Sequence, residues 1–357
     1  MGIPADASSA YWPGPQANNR IFPGKRSSYS PTSLKGYISP PGTGKTNFLT
    51  YGGHLNIVCS NFPRSGKSNV IRAASLVLFY AALIGNRRER NNQVGLEMIQ
   101  KRGKKKGTGI TIHPMLVGSW EIDQSMHTFG FDMGKKTKSS CYFWLILGAA
   151  QKILVDTGCA DPEWARQYHR PIDAGSYKNP VEALAAKGIR PEEIEIVINT
   201  HLHWDHCFNN DLFPKARILV QKKELQYAVA PLPIHAVPYE SQLIHMRPPW
   251  VKAIEQIEAI EGDVEISPGV SVVTLPGHSK GFQGVLVETS KGRHLIAGDT
   301  CPKEENWRGN KQLKHIPSGI HVDLEEYFKT FQKIEKIADV VIPGHDPRVM
   351  ETPVYPA

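Results

Sequence analysis

INTHLHWDH, residues 198–206, closes the apolar run IEIVIN (194–199) with three histidines and an aspartate inside six positions. The run is short, β-branched and led in by Pro191, so it reads as a buried strand. The plain alternative is a solvated polar loop after a strand. Four candidate ligands, His201, His203, Asp205 and His206, are too dense a pattern for that reading. His201 and His203 share a side if the extended backbone continues. After a turn, Asp205 and His206 can face a second point nearby. Imidazole combined with carboxylate favours Zn²⁺ or a similar first-row metal over Ca²⁺ or Mg²⁺.

Those four cannot complete two metal sites. Further polar residues stand at the ends of later apolar runs: His278 in TLPGHSKG, Asp299 in IAGDT and His345 in IPGHD. Each alone reads as a turn residue; together they supply what is missing. The surrounding pattern alternates strand-like runs and helices. YFWLILG (142–148) and KILVDTG (152–158), joined by AAQ, read as a hairpin. Asn179, Pro180 and Gly188 bracket an amphipathic helix with cap, first-turn proline and C-terminal glycine. Strands follow at 216–220, 270–275, 284–288, 294–298 and 339–344, and Asp323 caps a long helix running to about Ile337. Several strands are joined by tight turns, which fits two face-to-face sheets with helices outside better than one parallel sheet.

HLHWDH, PGHSKG, AGDT and IPGH, in that order and with those intervals, resemble the metallo-β-lactamase superfamily over roughly residues 113–350. The resemblance implies a four-layer αβ/βα sandwich with the metals at one edge. It implies that His201, His203 and His278 hold one metal, that Asp205, His206 and His345 hold the second, and that Asp299 bridges both. Asp156 in ILVDTG matches the residue that supports the metal loop without being a ligand. The implied reaction is hydrolysis by a hydroxide bridging two divalent cations, Zn²⁺ first with Mn²⁺ or Fe as substitutes. Asp205 is then the proton shuttle to the departing alkoxide.

By layout the chain looks most like N-acyl homoserine lactonases, so a lactone or related ester is the expected substrate. Those lactonases carry a Tyr three residues after the bridging Asp, where it contacts the lactone carbonyl. Here Pro302 stands in that place, and Tyr239, in the long segment 221–262, is the candidate substitute. That segment, rich in proline and aromatics, reads as a pocket wall or lid, or as a homodimer contact. Two other branches are alternatives: a glyoxalase II-like thioesterase, and an RNA-processing nuclease that uses a basic tail.

The tail exists. Residues 1–110 carry 16 Lys and Arg against 3 Asp and Glu, whereas the chain as a whole is only +8. Its densest run is KRGKKKG (101–107), expected as a basic linker, with nucleic acid or an anionic surface as the other reading. We divide the chain into a partly disordered, Pro/Gly/Ser-rich extension (1–110) and a hydrolase domain (111–357). SPPGTGKT (39–46) and NFPRSGKS (61–68) imitate phosphate-binding loops, but Ser39 and Asn61 stand where the first glycine is needed. The second loop also resembles the phosphosulfate loop of sulfotransferases over about eight residues. The apolar stretch 73–85 is too short to span a membrane and reads as a buried or interfacial helix. Five scattered cysteines form neither a disulfide framework nor a zinc knuckle, and Cys207 reads as a small buried residue. With no secretory signal visible, a cytoplasmic protein is expected.

Overall fold

The structure, a computed structural model, describes residues 47–51, 55–59 and 109–356. By its internal contacts the chain divides into two units, Met1–Arg88 and Glu89–Ala357. In the first, β1 (Asn47–Tyr51) pairs antiparallel with β2 (Leu55–Cys59). Both glycine–lysine loops, the expected helix at 73–85 and the basic run 101–107 lie outside the described residues.

In the second unit the chain forms β3 (Thr111–Asp123), β4 (Lys136–Leu147), β5 (Ile153–Val155), β6 (Ile196–Ile198), β7 (Arg217–Gln221) and β8 (Ile257–Ile260). These make one sheet, in that order. It then forms β9 (Val264–Ser267), β10 (Val270–Thr274), β11 (Gln283–Thr289), β12 (Gly292–Gly298) and β13 (Val340–Pro343). The order of this second sheet is β13-β12-β11-β10-β9. Both are mixed. β5 to β8 run parallel, as do β12 and β13, and the remaining pairs are antiparallel.

Strand alternation builds the core. Val270, Val272, Val285, Val287, Ile296 and Ile342 of the second sheet pack with Tyr142, Trp144, Ile146, Val155, Ile198 and Leu219 of the first. The intervening residues Val273, Leu286 and Leu295 point the other way, onto the helix Leu324–Ile337. That helix begins at Asp323, whose side chain accepts from the Glu326 N–H, and it buries Tyr327, Phe331, Ile334 and Ile337 along one stripe. On the first sheet, the helix Pro180–Ala185 packs against β3, and the helix Lys222–Val229 against β7 and β8. Helices therefore cover both outer faces, and the architecture is the expected αβ/βα sandwich.

The topology explains why one edge carries chemistry. β5 and β6 are parallel, so the segments after Val155 and Ile198 leave on the same side. β10 and β12 flank the antiparallel β11, and β13 runs parallel to β12, so the segments after Thr274, Gly298 and Pro343 also share one side. Asp156, His201–His206, His278, Asp299 and His345 all lie on those five segments.

Segment 221–262 carries regular structure of its own. It forms the helix 222–229, short 3₁₀ turns at 233–235, 242–244 and 249–256, and the edge strand β8. Among the described residues no helix is long and apolar enough to cross a membrane.

Candidate metal centre

Ligand atoms of His201, His203, His278 and Asp299 all lie within 4.8 Å of one another, and so do those of Asp205, His206 and His345. The two groups meet at Asp299. Its Oδ2 lies 3.4 Å from His278 Nε2, while its Oδ1 lies 3.3 Å from His206 Nε2 and 2.9 Å from His345 Nε2. Asp205 sits 3.8 Å from both His206 Nε2 and His345 Nε2. All seven residues are buried except Asp205, which is partly open.

Hydrogen bonds behind the rings fix their protons. His278 Nδ1 lies 2.8 Å from the Ile320 carbonyl and His345 Nδ1 lies 2.8 Å from the Ser140 carbonyl. A carbonyl only accepts, so each Nδ1 carries the proton and each Nε2 turns a lone pair inward. His206 Nδ1 faces the Asp156 carboxylate at 2.8 Å, with the same consequence. The Thr200 hydroxyl donates to Asp156 Oδ2 (2.8 Å), so it accepts from His201 Nδ1 at 3.1 Å. Four imidazoles thus present lone pairs to a common space. His203 approaches with the other nitrogen, its Nδ1 standing 3.3 Å from His278 Nε2.

Adjacent buried lone pairs repel unless a cation lies between them. His206 Nε2 and Asp299 Oδ1 are moreover buried with no hydrogen-bond partner, which is costly for groups that nothing coordinates. Five imidazoles and two carboxylates therefore fit two first-row divalent cations, with outer partners of the kind that orient metal ligands. Burial and the neighbouring imidazoles hold His201 and His203 well below the ordinary histidine range, and His278 at about 4. These three are neutral near pH 7, as ligands must be. At His206 burial acts downward too, but Asp299, Asp205 and Asp156 outweigh it and raise its pKa well above ordinary; His345 shifts the same way, chiefly through Asp299, so a cation binding at these two rings would displace a proton from Nε2. Burial pushes Asp299 up, yet His345, His206 and His278 hold it well below the carboxylate range.

Asp156 is not among the ligands. Its carboxylate accepts from Thr200 N (2.7 Å), the Thr200 hydroxyl and His206 Nδ1, tying the loop after β6 to the end of β5. Its backbone is left-handed, with φ 59°, a conformation retained where surrounding contacts enforce it. Three further supports emerge from the structure. The Tyr327 hydroxyl lies against the carbonyls of Asp299 (2.7 Å) and Thr300 (3.0 Å). Gly277 leaves room for the same tyrosine, since a Cβ there would sit 2.8 Å from its ring. Glu224, on the helix after β7, is fully buried behind the first group.

Tyr239, the candidate substitute for the lactonase tyrosine, is turned toward Glu224. It is fully buried, its hydroxyl donates to Glu224 Oε1 at 2.6 Å, and its ring meets His203 edge-on at 4.5 Å. Its apolar ring and its single donor are both engaged behind the metal loop. Pro302, in the place of the lactonase tyrosine, accepts the His345 N–H through its carbonyl at 2.8 Å. Other residues of segment 221–262 also brace this loop. The Pro238 carbonyl accepts the Trp204 N–H, and Glu240 accepts from Trp164 while contacting His169, whose ring stacks on Trp204 at 4.0 Å. Cys207 is fully buried, as expected.

The family model of the metallo-beta-lactamase superfamily matches residues 137–345, which include all seven candidate ligands. The chain belongs to that superfamily. Among superfamily members, an N-acyl homoserine lactonase of Bacillus thuringiensis is 29% identical over 169 residues, covering 46% of this chain and 61% of the relative. The chain thus spans about three fifths of the length of the curated relatives it matches. A crystal structure of a quorum-quenching N-acyl homoserine lactone lactonase superposes with TM-score 0.54 at 24% identity, covering 69% of this chain and 95% of that one. A probable metal-dependent hydrolase from Staphylococcus aureus superposes with TM-score 0.55 at 18% identity, covering 68% and 91%. At such identities the structural likeness speaks for the fold.

Proposed function

We propose that the chain is a dinuclear metal-dependent hydrolase that opens a lactone or a related carboxylic ester. The observation that carries this reading is the pair of ligand groups sharing Asp299, with four tautomers fixed so that lone pairs converge. Two bound divalent cations, most simply Zn²⁺ for this nitrogen and oxygen set, supply Lewis acidity and lower the pKa of a coordinated water to about 7.

The chain's own residues do the rest. Thr200, Asp156, Ile320 and Ser140 hold the imidazoles in one tautomer and one orientation, so no reorganisation is needed as charge develops. Asp205 is the partly open member of the set, and its carboxylate can take the proton of the attacking water and deliver it to the departing alkoxide oxygen. The lactone preference is supported by the homoserine lactonases among the relatives. With Pro302 in place of their tyrosine and Tyr239 engaged by Glu224, neither contributes a hydroxyl to the carbonyl.

Elemental analysis of the purified full chain tests the metal reading: close to two equivalents of Zn²⁺, Mn²⁺ or Fe are expected. Less than half an equivalent, with no activity gained on adding metal, refutes it. A parallel screen of lactones, esters and thioesters tests the substrate class. Turnover of thioesters alone refutes the lactone preference and leaves the metal hydrolase standing.

A further inference from the structure

Glu224 is a carboxylate buried beside the first ligand group without belonging to it. Its Oε1 accepts the Leu202 N–H (3.1 Å) and the Tyr239 hydroxyl (2.6 Å); its Oε2 accepts the Ser279 hydroxyl (2.6 Å) and the Gly281 N–H (3.1 Å). Leu202 lies between His201 and His203, and Ser279 follows His278. One side chain therefore joins the two loops that bring their ligands from opposite sheets. Tyr239, held by the same carboxylate, sets its ring against His203. Gly281 permits the approach, because a Cβ there would stand 2.1 Å from the Glu224 nitrogen.

Burying a carboxylate this deeply is expensive unless its lone pairs are filled. Here four donors from three segments fill them, so none is left for a metal. We propose that Glu224 is the positioning residue of the first metal site, fixing the separation between the His201/His203 loop and the His278 loop. This rests on the dinuclear reading above.

The donor pattern makes glutamine a sharp probe. An amide NH₂ must face either Leu202 N–H or Gly281 N–H, and a backbone N–H cannot turn round to accept. One buried backbone N–H, that of Leu202 or that of Gly281, loses its acceptor whichever way the amide lies, and the hold on that loop is loosened. The loss of an outer partner of this kind weakens metal binding by roughly 10–100-fold.

The test is a titration of the metal-stripped full chain with Zn²⁺ against a chromogenic chelator. His203→Ala and His345→Ala serve as references for loss of the first and second site. For Glu224→Gln one equivalent is expected to weaken 10–100-fold, in the pattern of His203→Ala, with the other held within about threefold. Ser279→Ala and Tyr239→Phe, which each remove one hydroxyl from the clamp, should weaken the same equivalent by a few-fold, and they carry the test if Glu224→Gln does not fold. Equal weakening of both equivalents, or no change in either, overturns the clamp while a wild type that binds two ions upholds the metal centre. A wild type that binds no zinc removes the metal centre itself, and the clamp with it.

Discussion

Asp156→Asn isolates the hydrogen bond that sets the His206 tautomer. The backbone does not confound the test, because asparagine is at ease in the left-handed region that Asp156 occupies at φ 59°. If the amide oxygen keeps the Thr200 N–H, now 2.7 Å from Oδ1, the NH₂ faces His206 Nδ1, now 2.8 Å from Oδ2. His206 must then move its proton to Nε2, 3.3 Å from Asp299 Oδ1, where it blocks the lone pair needed for ligation. The reverse orientation strands the buried Thr200 N–H at a cost of about 1–3 kcal/mol. Either route should weaken the second metal site by roughly 10–100-fold, as outer-partner losses do. At 1.4 kcal/mol per decade that is about 1.4–2.8 kcal/mol. Zinc titration against a chelator reads the effect, with thermal unfolding of the metal-free protein as control. Two equivalents held as tightly as in wild type, in a folded variant, would refute the tautomer argument.

Asp205→Asn should retain part of the second metal while turnover falls by ~10²–10⁴. The fall should be smaller for esters with a nitrophenolate leaving group; equal losses on good and poor leaving groups at intact metal content would leave Asp205 a ligand only. Phe331→Ala empties the fully packed space between the helix Leu324–Ile337 and the second sheet, and should cost about 3–5 kcal/mol in urea unfolding. Asn179→Ala removes the side chain that caps Val181 N at 2.8 Å; about 1 kcal/mol of stability should go, with metal content unchanged.

The candidate site was legible in the sequence because each candidate ligand follows an apolar strand, where periodicity and polarity change together. The helices capped by Asn179 and Asp323 were legible for a similar local reason. β3 was not. Pro114 and Gly118 interrupt its alternation, and both are tolerated because β3 is the edge of its sheet and shifts register between Leu116 and Gly118. The start of β4, KTKSS, is a polar stretch with no apolar period, yet Ser139 and Ser140 are buried and the Ser140 carbonyl orients His345. β8 and β9 are four-residue strands carrying glutamates, too short for a periodic signal. Glu224 illustrates the deeper limit. In KKELQYA it looks like one more solvated charge, and its partners Leu202, Ser279 and Gly281 are distant in sequence. Only the fold brings them together.

Each ligand group draws on both sheets. His201 and His203 follow β6 while His278 and Asp299 follow β10 and β12; Asp205 and His206 follow β6 while His345 follows β13. A cation in either group would therefore rivet the two halves of the sandwich across their shared edge. Occupancy and unfolding are then linked: every tenfold of free metal above the dissociation constant adds about 1.4 kcal/mol to the folded state. The melting temperature of this protein should accordingly report the metal supply of its surroundings, independently of any substrate.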